Sequence, residues 1–294
     1  MSEFCCPVCR GKLVRKENSL ICDKNHCFDK SKSGYVNLLL SQGKKGHGDD
    51  KLMVQARQSF LGKGYYKPLL TQLCNTIQKH AFNGAIIVDS GCGEGWYTDN
   101  IRSYLLKYGI NANFAAVDIS KEALKYAGKR CKEIEWAVAS AYNLPLADKS
   151  CDIITSFFAP FAKDEFNRVI KDGGIFITAI PLENHLLGLK QAVYEKPYKN
   201  CVDDFTIEGW ELISKEVIDE KITLQSNEDI LNLFMMTPYY YKTSASDQKK
   251  LENIKKNFED EVPEFDEPEK NASKDRLQIS PLWFLLLFSC FSHV

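Results

Sequence analysis

The chain has 294 residues, 44% of them hydrophobic and 26% charged, with a formal net charge of −1. That composition excludes a disordered or low-complexity protein, provides for at least one sizeable core, and requires any nucleic-acid partner to meet a local basic patch. The 11 cysteines are scattered along a chain that opens without a basic, apolar leader, so they read as metal ligands, core residues or catalysts in a reducing, cytoplasmic setting rather than as a disulfide framework.

The first element is a cysteine cluster. Cys6 and Cys9 are two residues apart, Cys22 and His26 three, and twelve residues lie between the pairs. Each close pair can grip one side of a tetrahedral ion, with the intervening segment folded as a hairpin. A segment of about 40 residues buries too little apolar surface to hold itself, so a metal staple is physically motivated. The expected ligands of one structural zinc ion are Cys6, Cys9, Cys22 and His26, with Cys5 competing for the place of Cys6 and Cys27 for that of His26. The alternative is a group of thiols in a small core. Residues 1–48 carry nine Lys or Arg against four acids, an excess of +5, which suits an RNA-reading module.

The apolar run Tyr35–Leu40 is expected to pack the ribbon onto its neighbour. A Gly- and Lys-rich linker follows over 41–50. Asp49 or Asp50 can cap a helix from about Lys51 to Leu61, and a second helix is expected from Pro68 to Gln78. The strand Ala85–Asp89 runs into Ser90-Gly91-Cys92-Gly93-Glu94-Gly95, a glycine-rich turn, and Trp96–Leu106 reads as a helix. Phe114–Asp118 is a second strand ending in an acid, and Ser120 caps a helix over Lys121–Cys131. Further strands are expected at Glu135–Ala139, Cys151–Phe157 and Gly174–Ala179. Strands alternating with helices predict an α/β fold, a doubly wound, Rossmann-like, mostly parallel sheet, with a small N-terminal zinc ribbon.

The loop is chemically informative. A dinucleotide fold presents glycines to a pyrophosphate. Here Asp89, Gly91, Gly93 and Glu94 form D-x-G-C-G-E-G, and a carboxylate within the loop repels phosphate but welcomes a sulfonium or an ammonium. Asp118 offers two oxygens to the two hydroxyls of a ribose. The expected cofactor is therefore S-adenosylmethionine rather than NAD.

These motifs resemble class I S-adenosylmethionine-dependent methyltransferases. The front end narrows the likeness: CPVC with C-x3-H, Gly34–Leu38, Gln55-Ala56-Arg57, Gly64–Leu69, Phe158-Ala159-Pro160, Pro181–Leu186 and Met236-Thr237-Pro238 resemble the bacterial 23S rRNA (guanine-N1)-methyltransferases over roughly residues 5–260. The resemblance implies zinc on Cys6, Cys9, Cys22 and His26, and cofactor contacts from Tyr66, Gly93, Glu94 and His185. It implies methylation of N1 of one guanine in a 23S rRNA hairpin near the peptide exit tunnel, and action as a homodimer. The competing functions are methylation of a small molecule or protein beside a purely structural ribbon, and RNA binding without catalysis. The basic ribbon argues against the first, and the intact loop with Glu94 and Asp118 against the second. Phe157 and Phe158 read either as core residues or as rings that stack on the target base.

The domain reading is a zinc-binding unit over 1–40, the linker, a methyltransferase unit over 51–262, and an atypical tail over 263–294. That tail departs from the family pattern: a final amphipathic strand is expected, but the chain turns polar from Val262 to Arg276 and then strongly apolar at Trp283–Phe288. The shift reads as an altered reading frame or unusual tail that leaves a sheet edge exposed. The apolar run is far short of the roughly 20 residues that span a bilayer.

Overall fold

The computed structural model describes residues 2–40, 48–202, 205–244, 247, 250, 277–279 and 281–291. Most of the expected linker, the polar stretch after Val262 and the last three residues lie outside the described residues.

The N-terminal hairpin forms where the cysteine spacing places it. Strands β1 (Leu13–Lys16) and β2 (Ser19–Cys22) pair antiparallel around a two-residue turn, and β3 (Cys27–Asp29) pairs antiparallel with β2. The next strand, β4 (Tyr35–Asn37), leaves the ribbon. It joins the edge of the large sheet, so the apolar run expected to pack the ribbon onto its neighbour does so by backbone hydrogen bonding as well.

Helix α1 (Lys51–Gly62) starts at Asp50, whose carboxylate accepts the Met53 N–H at 2.9 Å. This is an ordinary N-cap, satisfying one of the donors a helix start leaves open. Helix α2 (Lys67–Gln78) carries Pro68 in its first turn, where its missing N–H costs nothing. Then the sheet strands alternate with crossover helices: β5 (Ile86–Ser90), α3 (Trp96–Lys107), β6 (Asn113–Asp118), α4 (Lys121–Arg130), β7 (Glu135–Val138), β8 (Cys151–Phe157), α5 (Lys163–Val169) and β9 (Ile170–Pro181). The remaining elements are α6 (Leu187–Val193), β10 (Trp210–Asp219), β11 (Ile222–Leu224), α7 (Asn227–Met235), α8 (Tyr239–Lys242), β12 (Leu277–Ile279) and β13 (Leu282–Cys290).

The large sheet has the order β10-β13-β9-β8-β5-β6-β7-β4. From β4 to β9 neighbouring strands are parallel, while β13 is antiparallel to both of its neighbours. The chain winds from β5 through β6 to β7 in one direction, then returns to β8 on the other side of β5. The carboxyl ends of β5 and β8 therefore form the topological switch point, where open α/β sheets hold their ligands.

Both sheet faces are covered, and strand alternation assigns the residues. Ile87, Ala116, Val138 and Ile177 pack in one core with Phe60, Leu69, Leu73 and Leu105 of the helices. Val88, Ala115, Ala137 and Phe176 face the other core, with Phe166 of α5 and Phe4 and Leu13 of the ribbon. Two buried faces make the strands read as continuous apolar runs.

The same logic corrects the reading of the tail. The final strand is present: β13 lies inside the sheet, paired with β9 on one side and β10 on the other. Trp283, Leu285 and Leu287 enter the first core, and Phe284, Leu286 and Phe288 the second. The strand is not amphipathic because it has no solvent face. Among the described residues, β10 ends the sheet on this side, with Leu212, Ile213 and Val217 exposed. Strand β9 begins at Ile170, before the expected Gly174: Ile170 pairs with Cys151, the register then shifts, and the ladder resumes at Ile175 opposite Ile153.

Candidate functional site

The metal cluster is built as expected. The ligand atoms of Cys6, Cys9, Cys22 and His26 all lie within 4.8 Å of one another. Cys9 Sγ and Cys22 Sγ are 3.7 Å apart, and His26 Nδ1 is 3.5 Å from Cys6 Sγ and 3.3 Å from Cys22 Sγ. Bonds of about 2.3 Å to sulfur in a tetrahedron require sulfurs separated by about 3.7 Å, so the donor set fits one zinc ion. Cys5 and Cys27 are outside this cluster, which settles the competition for ligand places in favour of Cys6 and His26. Cys5 is tied by its backbone N–H to Pro145 O at 2.8 Å, and Cys27 is exposed on β3.

At the switch point, the glycine loop leaves β5 in a conformation that its composition permits. Gly91, Gly93 and Gly95 all have positive φ. At Gly91 a Cβ would stand 2.4 Å from the Ala159 Cβ, so the β5 and β8 ends approach closely enough to exclude any side chain. Asp89 is 1% exposed and accepts from Thr98 Oγ1 at 2.5 Å and Thr155 Oγ1 at 2.9 Å. Burial pushes its carboxyl up to about 6 against the pull of those two hydroxyls. Its carboxylate thus ties β5 to α3 and β8.

Asp118 ends β6 beside the loop. It accepts the Gly93 N–H at 2.8 Å and the Ser120 N–H at 2.7 Å, one on each oxygen. Burial raises its carboxyl, and these amides pull it back. Carboxylate oxygens have about four lone-pair sites between them, so both retain capacity for ribose hydroxyls. Glu94 is 1% exposed. One oxygen pairs with the Arg130 guanidinium of α4, and the other, Oε1, has no hydrogen-bond partner among the described residues. A buried acceptor without a donor costs free energy unless a ligand or water supplies one. This orphaned oxygen in the loop fits the cationic amino-acid end of S-adenosylmethionine.

Tyr66 and His185 meet on Trp283, at the start of β13. The Tyr66 ring packs edge-on against Trp283 at 4.6 Å, and the His185 ring lies 6.2 Å from it. His185 Nδ1 is 3.2 Å from Leu282 O. A carbonyl only accepts, so Nδ1 carries the proton and Nε2 is left as an acceptor. Burial pushes the imidazole down to about 3, keeping it neutral. The tail strand therefore supplies one wall of the region occupied by these two residues. No local pattern marks Trp283, and its indole N–H is buried without a partner among the described residues.

Other contributors also escaped sequence reasoning. Thr98, Thr155 and Arg130 act across the fold, and no local pattern marks them. Arg57 lies in Gln55-Ala56-Arg57, where sequence position by itself gives it no role. The two phenylalanines after β8 divide: Phe157 is buried, whereas Phe158 is 42% exposed with φ +57°. A left-handed backbone at a bulky residue is a strained presentation of the side chain. Tyr97 lies against both rings, at 5.4 and 6.4 Å. At Ser140 the hydroxyl accepts the Tyr142 N–H at 3.2 Å.

Comparison with known proteins agrees with this geometry. A family model described as "RlmA, N-terminal", a zinc ribbon, matches residues 4–47, and a "Methyltransferase domain" model matches residues 88–178. The chain is 32% identical over 216 residues to "Putative 23S rRNA (guanine-N(1)-)-methyltransferase YxjB" of Bacillus subtilis, covering 70% of this chain and 76% of that protein. The chain belongs to the 23S rRNA (guanine-N1)-methyltransferase family. It is also 32% identical over 191 residues to the 23S rRNA (guanine(748)-N(1))-methyltransferase of Streptomyces fradiae, covering 64% of this chain and 66% of that one. As a family member it combines a methyltransferase sheet with a zinc ribbon.

Proposed function

We propose that this protein transfers a methyl group from S-adenosylmethionine to N1 of a single guanine in 23S rRNA, in the hairpin near the peptide exit tunnel. The orphaned, buried Glu94 oxygen, in the loop that Asp118 holds through the Gly93 N–H, carries the cofactor half of this reading, and the family relationship carries the substrate half. Asp118 would hold the ribose and Glu94 the cationic amino-acid end, with Gly91 and Gly93 permitting close approach. Tyr66, Trp283 and His185 would wall the far side. Bound there, the cofactor supplies an electrophilic methyl group on a sulfonium. Asp89 positions the loop through Thr98 and Thr155 and needs no contact with the ligand.

Neutral guanine carries a hydrogen on N1, so methylation releases one proton. The chain's contribution is to align N1, to exclude water and to stabilise charge developing on O6. Phe158, exposed and held beside Tyr97 at the end of β8, is placed to stack on a base turned out of its helix or loop. The division of labour follows the expected domains: residues 1–40 bind zinc and guide RNA, and 51–262 together with β13 hold the cofactor. A homodimer working in the cytoplasm completes the reading. No helix among the described residues is long and apolar enough to cross a membrane.

The test is incubation with methyl-labelled cofactor and unmodified 23S rRNA, followed by primer extension. N1-methylguanine cannot pair, so reverse transcriptase halts one nucleotide before it. A single stop in the exit-tunnel hairpin is expected. Label in RNA without that stop would refute the assigned position, and label only in protein or small molecules would refute the substrate class.

A further inference from the structure

Arg57, in the middle of α1, reaches the glycine loop. Its Nη1 lies 3.5 Å from where a Cβ would stand on Gly93. The guanidinium pairs with Asp49 and donates from Nη2 to Met236 O at 3.0 Å. It thereby joins three separate stretches: the segment before α1, the end of α7 and the loop itself. Its charge is felt by Tyr66, Glu94, Tyr97 and Asp118 alike. The described bonds use two of its five donors.

The cofactor's amino-acid end carries a carboxylate as well as an ammonium. Three acids, Asp49, Glu94 and Asp118, surround this region, and an added carboxylate is repelled there unless a cation meets it. The neighbouring cations Arg130, Lys63 and Lys190, among the described residues, have other work. Arg130 is bound to the Glu94 side chain and, at 3.3 Å, to its carbonyl. His185 is neutral. Lys63 pairs with buried Asp229 at 2.5 Å. Lys190 donates to Asn200 Oδ1 at 2.8 Å and sits over the rings of Tyr198 and Tyr239 at 4.6 and 4.4 Å. A guanidinium beside a side-chain-free glycine, with donors to spare, is suited to grip a carboxylate.

We propose that Arg57 binds the α-carboxylate of the cofactor's methionine end, held in position by Asp49 and the Met236 carbonyl. The assignment rests on the S-adenosylmethionine reading above. It gives Gln55-Ala56-Arg57 a direct role. It also links cofactor binding to the Arg57 contacts that join α1, the end of α7 and the loop.

The test is calorimetric binding of three product-like ligands to the intact protein and to Arg57→Ala and Arg57→Lys. The ligands are S-adenosylhomocysteine, S-adenosyl-3-thiopropylamine (which lacks only the carboxylate) and 5′-methylthioadenosine. A charged hydrogen bond of this kind corresponds to about ten- to a hundredfold in affinity. Arg57→Ala is expected to weaken S-adenosylhomocysteine by that factor and leave the other two within about twofold. Arg57→Lys is expected to recover part of the loss. Equal weakening of all three ligands, or of none, would overturn the assignment. If Arg57→Ala does not fold, the ratio of the first two affinities in wild type and Arg57→Lys decides: an unchanged ratio would overturn it. Failure of the wild type to bind any of the three would instead overturn the cofactor reading on which the assignment stands.

Discussion

Glu94 has one carboxylate oxygen on Arg130 and the other without a partner among the described residues, in a loop 1% exposed at that residue. Replacing it by glutamine keeps the volume and removes the charge. We expect Glu94→Gln to weaken S-adenosylmethionine binding by about tenfold or more, measured by calorimetry, because a buried charged hydrogen bond contributes about 1.5–3 kcal/mol. His185 makes a different prediction. Its folded pKa, pushed down to about 3 by burial, is below the ordinary value of 6.5. Between those values the unfolded chain takes a proton that the folded chain refuses. Stability on this account is full above about pH 6.5 and falls as pH drops toward 3, by up to about 1.4 kcal/mol per pH unit. Urea titrations at pH 4.5 to 7 are expected to show a shallower acid-side loss for His185→Gln than for the wild type. An identical slope in the two proteins would refute it.

Among the elements, the ribbon and β13 carry the most specific expectations. The ribbon owes its packing to few apolar residues, chiefly Phe4, Leu13 and Leu20, around four ligands. Cys22→Ser should release the zinc, measured by metal analysis, and melt β1–β3. Because the first core, on which α1, α2 and α3 pack, contains no residue of β1–β3, S-adenosylhomocysteine binding should persist while rRNA binding falls. Strand β13 behaves oppositely, since it lies between β9 and β10 with both faces covered. Leu285 is 1% exposed, and Leu285→Ala should cost about 2–5 kcal/mol in urea unfolding. A loss below 0.5 kcal/mol would contradict the burial of this strand.

Across the whole molecule, charge is distributed unevenly. A chain of net charge −1 carries an excess of +5 in its first 48 residues. Lys12, Lys16 and Lys24 are exposed on the ribbon. Reversing all three to Glu should weaken rRNA binding and flatten its salt dependence by about two to three units of slope in a log–log plot, while leaving S-adenosylhomocysteine affinity unchanged. An unchanged salt slope would remove the ribbon from the RNA path.

Much of the architecture was legible because it is written in short-range patterns. The paired cysteines, the glycine turn after an apolar strand, the caps at Asp50 and Ser120 and the acid at Asp118 each involve residues within a few positions of one another, where spacing alone dictates geometry. The sequence by itself therefore determined the ribbon, the parallel sheet and the cofactor loop. Only the tertiary structure decided the rest. The apolar run Leu282–Cys290 is compatible with an edge, a tail or a core strand until its neighbours are known, and two covered faces make it a core strand. Arg57 and Arg130 are far from Gly93 and Glu94 in sequence, so no periodicity joins them. The Arg130–Glu94 ion pair and the approach of Arg57 to Gly93 appear only when α1 and α4 pack against the sheet, because packing, unlike local propensity, brings distant groups within reach of one another.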